Sequence, residues 1–219
     1  MSHDETRYVL NGILFSFKDK ILKLVATDGR RLAIIEKEIE GSSFKKDVIL
    51  PMKAIQELNR NLTEEGDVVF CFKENQVQAN LGTIHITSRL IEGEYPNYDQ
   101  VIPKKVKEEL SLDTQNFLQA TRRASILTNQ ESQSIKINIL KGKMIITKNS
   151  PELGEVREEL DVDYKGDELT IGFNPTFLID VLKNIEDKSI LFSFIDPEKP
   201  AVIKNRDNYT YIVLPMQVS

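Results

Sequence analysis

Short runs of alternating apolar and polar residues recur along most of the chain and predict a protein rich in β-strands. Each run is about four to seven residues long, is rich in Val, Ile, Phe and Thr, and is bounded by Gly, Asn, Asp or Lys. Turn-forming residues separate consecutive runs, so antiparallel hairpins are the natural connections. The predicted strands are residues 13–17, 21–26, 31–35, 68–72, 83–87, 135–139, 144–147, 190–194 and 209–214.

Three other segments repeat their apolar residues about every 3.6 positions, which predicts helices rather than strands. Thr114 and Asn174 are expected N-caps, and Pro175 suits the first helical position after Asn174. Together the patterns predict the α+β class, with antiparallel sheets in repeated strand-rich units and one helix per unit. The predicted helices are residues 52–62, 114–127 and 175–185.

An internal repeat relates the two halves of the chain, with an offset of about 123 residues. The second copy opens with an additional strand and helix at residues 109–127, which have no counterpart before Tyr8 in the first copy. The copies meet between Pro96 and Glu109, where prolines and a charged run indicate a boundary. The matching segments are 47–62 with 169–185, 68–72 with 190–194, and 83–87 with 209–213.

The expected domains are therefore residues 1–105, which lack an opening strand and helix, and residues 106–219. A chain of 219 residues with 40% hydrophobic residues can bury a core in each domain. The single cysteine, Cys71, excludes an intrachain disulfide, and only His3 and His85 accompany it as possible zinc ligands. We expect no cofactor and no metal.

No stretch approaches the roughly 18 apolar residues of a membrane span, and the first residues are charged. We therefore expect a cytoplasmic protein without a membrane partner. The net charge of −5 argues against nucleic-acid binding, because non-specific affinity comes from Lys and Arg that neutralise phosphates. Net charge does not locate the charges, however, so an acidic chain can still present a basic face.

The segment Thr27–Ala33 lies between two predicted strands and permits two interpretations. Asp28-Gly29 suits a hairpin turn, with the following arginines exposed to solvent. Alternatively, Arg30 and Arg31 frame a binding site. The segment Thr87–Tyr98 is likewise either an ordinary crossover loop or part of such a site.

The C-terminus is more apolar than most chain ends, which are polar and frayed. It can be a last core strand, but Pro215 cannot continue the pairing. Leu214 and Met216 are therefore expected to leave the sheet, and exposed apolar side chains there would mark a partner site.

Five motifs, in order and spacing, resemble the bacterial DNA polymerase III beta subunit family of sliding clamps. The resemblance implies a DNA-clamp fold covering most of the family's middle domain and all of its C-terminal domain, without the first of its three domains. Met1–Asp4 resembles the family segment just after the opening helix of the middle domain, so Met1 is interpreted as an internal methionine of a longer chain. The motifs are Arg7–Phe15, Val25–Ala33, Leu90–Tyr98, Ile171–Asn174 and Val213–Met216.

The resemblance implies that the helices line a hole around DNA, whereas each of their basic side chains could equally belong to a solvated helix face. It also implies a partner-peptide pocket with one wall from each domain. Arg30 and Gln100 depart from the histidine and arginine that are frequent in the family. The expected DNA-facing residues are Lys53, Arg60, Arg122, Arg123 and Lys183; the expected pocket residues are Leu10, Thr27, Gly29, Arg30, Arg31, Leu32, Pro96, Val101, Asn174, Ile212, Val213, Leu214, Pro215 and Met216.

The leading hypothesis is a sliding-clamp subunit that self-associates, encircles duplex DNA independently of sequence, and binds the DNA polymerase III catalytic subunit, the clamp loader and other proteins with clamp-binding motifs. The alternative is a ring-incompetent fragment that acts only as a peptide-binding module. Three chains closing a ring would restore six domain-like units. An enzyme is not expected, because Glu92 and Glu94 lack a metal or a placed histidine beside them.

Overall fold

The computed structural model describes residues 5–40, 45–130, 132–205 and 208–217. Met1–Asp4, including His3, lies outside the described residues. The chain divides into two compact units, Met1–Asn97 (unit 1) and Tyr98–Ser219 (unit 2). The division comes earlier than the expected boundary after residue 105. In the segment after this division, the Lys107 N–H donates to the Phe194 carbonyl of unit 2 at 3.1 Å.

Unit 1 contains seven strands and one α-helix within its described residues. A short 3-10 helix, Glu5–Asn11, precedes the first strand. Four strands pair antiparallel in the order β4-β1-β2-β3, and three more form a separate sheet in the order β5-β6-β7. The elements are β1 (Gly12–Lys18), β2 (Ile21–Thr27), β3 (Arg31–Glu38), β4 (Lys46–Pro51), α1 (Met52–Asn61), β5 (Val69–Phe72), β6 (Gln76–Leu81) and β7 (Ile84–Arg89).

The core of unit 1 lies between its two sheets and α1. Phe15 and Phe17 project from β1 and meet the rings of Phe70 and Phe72 edge-on, at centroid distances of 5.7 Å and 5.3 Å. Leu58 is the large apolar side chain that α1 buries in this core. Burial of these alternating apolar positions is the main force that stabilises unit 1.

Unit 2 contains eight strands and two α-helices within its described residues. Its strands pair antiparallel in the orders β11-β10-β9-β12 and β15-β14-β13-β8, and its two helices contact each other. The elements are β8 (Glu108–Asp113), α2 (Thr114–Ser125), β9 (Ile135–Leu140), β10 (Lys143–Ser150), β11 (Gly154–Asp161), β12 (Leu169–Phe173), α3 (Pro175–Leu182), β13 (Ser189–Phe194), β14 (Ala201–Lys204) and β15 (Tyr209–Val213).

In unit 2, the observed N-cap residue agrees with the sequence prediction at α3 but not at α2. Asn174 caps α3 by accepting from the Thr176 N–H at 2.9 Å, and Pro175 occupies the first helical turn, as predicted. Thr114 is not the N-cap of α2. Asp113 takes that role and accepts from the Asn116 N–H, because the Thr114 hydroxyl donates to the Asp187 carbonyl instead.

The predicted repeat is visible in the strand order of each unit. The order β4-β1-β2-β3 in unit 1 corresponds to β12-β9-β10-β11 in unit 2, and β5-β6-β7 corresponds to β13-β14-β15. In unit 2, β8 pairs with the outer edge of β13. Within the described residues of unit 1, no strand occupies the equivalent edge of β5.

Three strands, β6, β11 and β14, correspond neither to a predicted strand nor to the repeat segments 47–62, 109–127 and 169–185, which contain β4, β8 and β12. β6 buries only Val77 and Ala79, so its apolar signal is weak. β11 lies at a sheet edge and is dominated by charged residues that face solvent. β14 has only four residues, too few for a periodicity to appear. All three are held by backbone pairing with stronger neighbours.

Candidate functional site

The turn between β2 and β3 is built by its own side chains. The Thr27 hydroxyl accepts from the Gly29 N–H at 3.0 Å and donates to the Arg31 carbonyl at 2.6 Å. Gly29 has a φ of 86°, a left-handed conformation that glycine adopts without strain. The hairpin interpretation of this segment is therefore confirmed.

Asp28 organises this turn, although it was not among the predicted pocket residues. Its Oδ1 accepts from the backbone N–H groups of Arg30 and Arg31 at 3.0 and 3.1 Å, and its Oδ2 pairs with Arg31 Nε at 2.9 Å. Burial alone would raise the pKa of Asp28, but these hydrogen bonds and the Arg31 charge together lower it. The Asp-Gly-Arg-Arg order was the available signal, since an Asp side chain commonly closes such turns.

The remaining residues of the first predicted wall divide into a buried set and an exposed set. Leu10 and Leu32 are buried, so their side chains lie beneath the surface of unit 1 and do not project from it. Arg30 and Pro96 are exposed. Tyr95 holds the segment before Pro96 against β2 through a hydrogen bond from its hydroxyl to the Val25 carbonyl at 3.3 Å.

The second predicted wall lies at the end of β15. Ile212 and Val213 are buried, and the strand ends at Val213, before the proline. Leu214 is 39% exposed. Met216 leaves the β15 sheet and instead forms a bridge beside β12, with its N–H donating to the Gly172 carbonyl at 2.8 Å. The predicted departure at the proline is therefore confirmed.

Two further predicted pocket residues are Val101, expected in the first wall, and Asn174, expected in the second. The structure places Val101 in unit 2 rather than in unit 1. Val101 is exposed in a 3-10 helix, Tyr98–Val101. Asn174 is half-buried, and its side-chain oxygen caps α3. Asn174 therefore has a structural role that the sequence had already indicated.

Lys148 supports the C-terminal segment and was not predicted. Its ammonium group lies beside the Ser132 hydroxyl and donates to the Ser134 carbonyl at 2.9 Å, and burial lowers the pKa of Lys148. The Ser134 hydroxyl in turn contacts the Gln217 carbonyl at 3.5 Å. No sequence signal distinguished this lysine from an exposed strand residue, because its burial depends on the segment folded over it.

The five predicted DNA-facing side chains are all exposed, but their charges are not equally available. Lys53 and Arg122 have no ion-pair partner within the described part of the chain. The other three pair with carboxylates of their own unit. These pairs are Arg60 with Glu57 at 2.7 Å, Lys183 with Asp180 at 2.6 Å, and Arg123 with Glu158 at 2.6 Å.

The Arg123–Glu158 pair is the most specific of these contacts. Arg123 Nε and Nη2 reach the two oxygens of Glu158 at 2.7 and 2.6 Å, a bidentate geometry that joins α2 to β11. The hydrogen bonds from Arg123 lower the pKa of Glu158. Sequence reasoning left Arg123 as either a DNA-facing charge or part of a solvated helix face. It could not identify Glu158 as a partner, because the two residues are distant in the chain.

Glu92 and Glu94 are exposed in the structure. Across residues 5–40, 45–130, 132–205 and 208–217, no cluster of three or more Asp, Glu, His and Cys side chains could hold a metal. None of the helices in that part of the chain is both long enough and apolar enough to cross a membrane.

Comparison with known proteins gives a match in each unit. Residues 1–97 match the central domain of the DNA polymerase III beta subunit, and residues 99–217 match its C-terminal domain. The Beta sliding clamp of Proteus mirabilis is 35% identical over all of this chain and 60% of its own length. That of Chlamydia pneumoniae is 29% identical with the same coverage.

Solved structures agree with this result. The crystal structure of the DNA polymerase III subunit beta from Pseudomonas aeruginosa has a TM-score of 0.94 at 35% identity, over all of this chain and 61% of its own. The sliding clamp from Bacillus subtilis has a TM-score of 0.95 at 31% identity, over all of this chain and 60% of its own. Another P. aeruginosa structure is bound to griselimycin.

The repeated α+β units thus define a protein of the DNA-clamp fold. The chain belongs to the DNA polymerase III beta subunit family. It spans about 60% of the length of the curated relatives it matches.

Proposed function

We propose that this chain is a DNA sliding-clamp subunit that encircles duplex DNA and tethers the DNA polymerase III catalytic subunit and other replication and repair proteins. The observation that carries the proposal is the ordered match of both family domains, over residues 1–97 and 99–217. Retention on DNA then comes from topology, so the ring itself performs no reaction and needs no cofactor.

For partner binding, the proposed contact is a short extended peptide with an aliphatic or aromatic anchor. Leu214 offers an exposed apolar side chain beside a backbone that Pro215 and the Met216 bridge hold in place. The hydrogen-bonded turn at Gly29, where Gly29 and Arg30 are exposed, is the proposed contact surface in unit 1. The griselimycin-bound relative supports a ligand site in this family.

For DNA, the proposed contact is with phosphates alone, because helix-borne lysines and arginines carry no base-reading geometry in themselves. Lys53 and Arg122 contribute directly. The other three basic side chains are paired with carboxylates, and each must break that ion pair before it can bind a phosphate. The phosphate contacts of Arg60, Arg123 and Lys183 are therefore weaker. Weak contacts of this kind suit a ring that slides.

Peptide binding can be tested with a fluorescent peptide that carries a clamp-binding motif, measured by anisotropy. Leu214→Asp places a charge where the anchor binds, so we expect at least a tenfold loss of affinity, about 1.4 kcal/mol. Leu153→Asp is the matched control, since Leu153 is an exposed leucine in the β10–β11 turn and should change nothing. Equal affinity for both variants would reject the proposed pocket.

Encirclement can be tested by retention of the chain on circular DNA before and after linearisation, with the solution mass measured in parallel. A clamp stays on circles and leaves linear ends. Arg122→Ala should also reduce the salt dependence of DNA binding by about one phosphate contact. Lys141→Ala, an exposed lysine in the β9–β10 turn, is the charge-matched control.

A second candidate function is a peptide-binding module that closes no ring. A chain that binds the peptide but is never retained on circular DNA would establish the module and reject encirclement.

A further inference from the structure

Lys148 is a buried lysine at the end of the pairing between β9 and β10. Only 7% of its surface is exposed. The last pair between the two strands is Thr147↔Lys136, so Lys148 lies one residue beyond the ladder on that side. Backbone pairing with β10 therefore stops before it reaches the segment that precedes β9, residues 132–134.

The ammonium group of Lys148 connects β10 to this segment instead. It lies beside the Ser132 hydroxyl and donates to the Ser134 carbonyl at 2.9 Å. Ser134 is itself buried, and its hydroxyl contacts the Gln217 carbonyl at 3.5 Å. One side chain thus links a central strand of unit 2, through Ser134, to the C-terminal segment, residues 214–217.

The C-terminal segment is fastened to the rest of unit 2 after β15 has ended. The Met216 N–H donates to the Gly172 carbonyl of β12 at 2.8 Å, and Gln217 contacts Ser134 on the other side. Pro215 has no N–H to donate. The position of the exposed Leu214 side chain therefore depends on how firmly the two following residues are held.

The burial of Lys148 is costly, so stability alone does not account for a lysine at this position. An ammonium group that is buried among neutral hydrogen-bond acceptors loses hydration without gaining an ion pair. Across residues 5–40, 45–130, 132–205 and 208–217, no carboxylate pairs with Lys148, and burial lowers its pKa. A methionine of similar length would avoid this cost, but it could not donate to Ser134.

We propose that Lys148 is a positioning residue for partner binding: through Ser134, it holds the C-terminal segment in the conformation that presents Leu214. This role rests on the proposed function, which assigns Leu214 to the bound peptide. Because Lys148 is buried, it acts through Ser134 rather than by touching the peptide. Its replacement should loosen the C-terminal segment and leave the sheet around β10 intact.

Amide hydrogen exchange, followed by NMR on the 219-residue chain, tests the positioning without a peptide. The reporter is the Met216 N–H, which its bond to Gly172 protects. In Lys148→Met it should exchange at least tenfold faster, whereas the Ile146 N–H, on a strand paired on both sides, should keep its rate. Lys143→Met, the same substitution at an exposed position of β10, is the matched control. An unchanged rate at Met216, or equal acceleration of both amides, would overturn the proposal.

Ser134→Ala tests the route of the effect without altering the buried lysine. It removes the hydroxyl that contacts Gln217 and keeps the carbonyl that Lys148 binds. Met216 should again exchange faster. The double variant Lys148→Met/Ser134→Ala should exchange no faster than Lys148→Met, because both changes break the same connection. Additive effects would show that Lys148 does not act through Ser134.

Peptide affinity, measured by fluorescence anisotropy, tests the functional consequence. Lys148→Met should bind the clamp-motif peptide at least fivefold more weakly, and Lys143→Met should bind it as the native chain does. If the native chain binds and Lys148→Met binds equally well, the positioning role is rejected. If the native chain binds no peptide, the proposed function fails instead, and the exchange rate of Met216 alone decides whether Lys148 holds the segment.

Discussion

Replacing Asp28 by asparagine tests whether one carboxylate stabilises the β2–β3 turn. The variant keeps one side-chain oxygen that can accept from the backbone N–H groups of Arg30 and Arg31. It loses the negative charge. It also places an amide NH2 near Arg31 Nε, which in the native chain lies 2.9 Å from Asp28 Oδ2. The two side chains are only 17% and 21% exposed. Charged hydrogen bonds contribute about 1.5–3 kcal/mol and exposed ion pairs less than 1, so we expect a loss of about 1–2 kcal/mol in unfolding free energy.

The loss of unfolding free energy should depend on pH, because it comes from the charged form of Asp28. Because the folded pKa of Asp28 is below its ordinary value of 3.8, the folded state binds fewer protons than the unfolded state as the pH falls. The stabilisation is fully present above pH 3.8 and is lost as the pH falls through the folded pKa. Asparagine does not titrate, so the difference between the two chains should shrink at acid pH.

Urea denaturation at pH 7 and pH 3 measures both effects. Asp19→Asn is the control, since Asp19 occupies the exposed β1–β2 turn with a φ of 57° that asparagine also adopts. The reasoning would be refuted if Asp28→Asn and the native chain had equal unfolding free energies at pH 7. It would also be refuted if their difference were as large at pH 3 as at pH 7.

Three further substitutions test other parts of the structure. Gly12→Ala would place a Cβ 2.5 Å from the Leu50 carbonyl, so β1 and β4 must separate; calorimetry should show a loss of about 1–3 kcal/mol, and an unchanged melting temperature would contradict the close approach. Asn174→Ala removes the cap of α3 and should cost about 1 kcal/mol in urea unfolding, whereas no loss would mean that the cap bond contributes nothing. Glu158→Gln releases Arg123 from its bidentate partner, so non-specific DNA binding at low salt should strengthen; weaker binding would show that Arg123 must be held by Glu158 to act.

Much of the fold was predictable because it depends on local periodicity. The helices begin where the apolar period changes, at Met52, Thr114 and Pro175, and their ends differ by a few residues because terminal turns are weakly specified. The repeat was also readable, since equivalent strands keep equivalent apolar patterns. β11 was missed because its charged residues face solvent and its pairing partner, β10, supplies the stabilisation.

The functional residues were less predictable wherever contacts join distant positions. Asp28 could have been found from its Asp-Gly turn, but the pairing of Arg123 with Glu158 joins residues on α2 and β11. Lys148 looks like an ordinary exposed strand residue until the segment at Ser134 is folded over it.

The sequence by itself determined the α+β class, the internal repeat, the turn at Gly29 and the end of the last strand at Pro215, because each follows from local periodicity or backbone stereochemistry. Only the tertiary structure decided which of the predicted charges are neutralised and that Lys148 is buried. Those properties depend on distances between residues far apart in the chain, and such distances are set by packing rather than by local sequence.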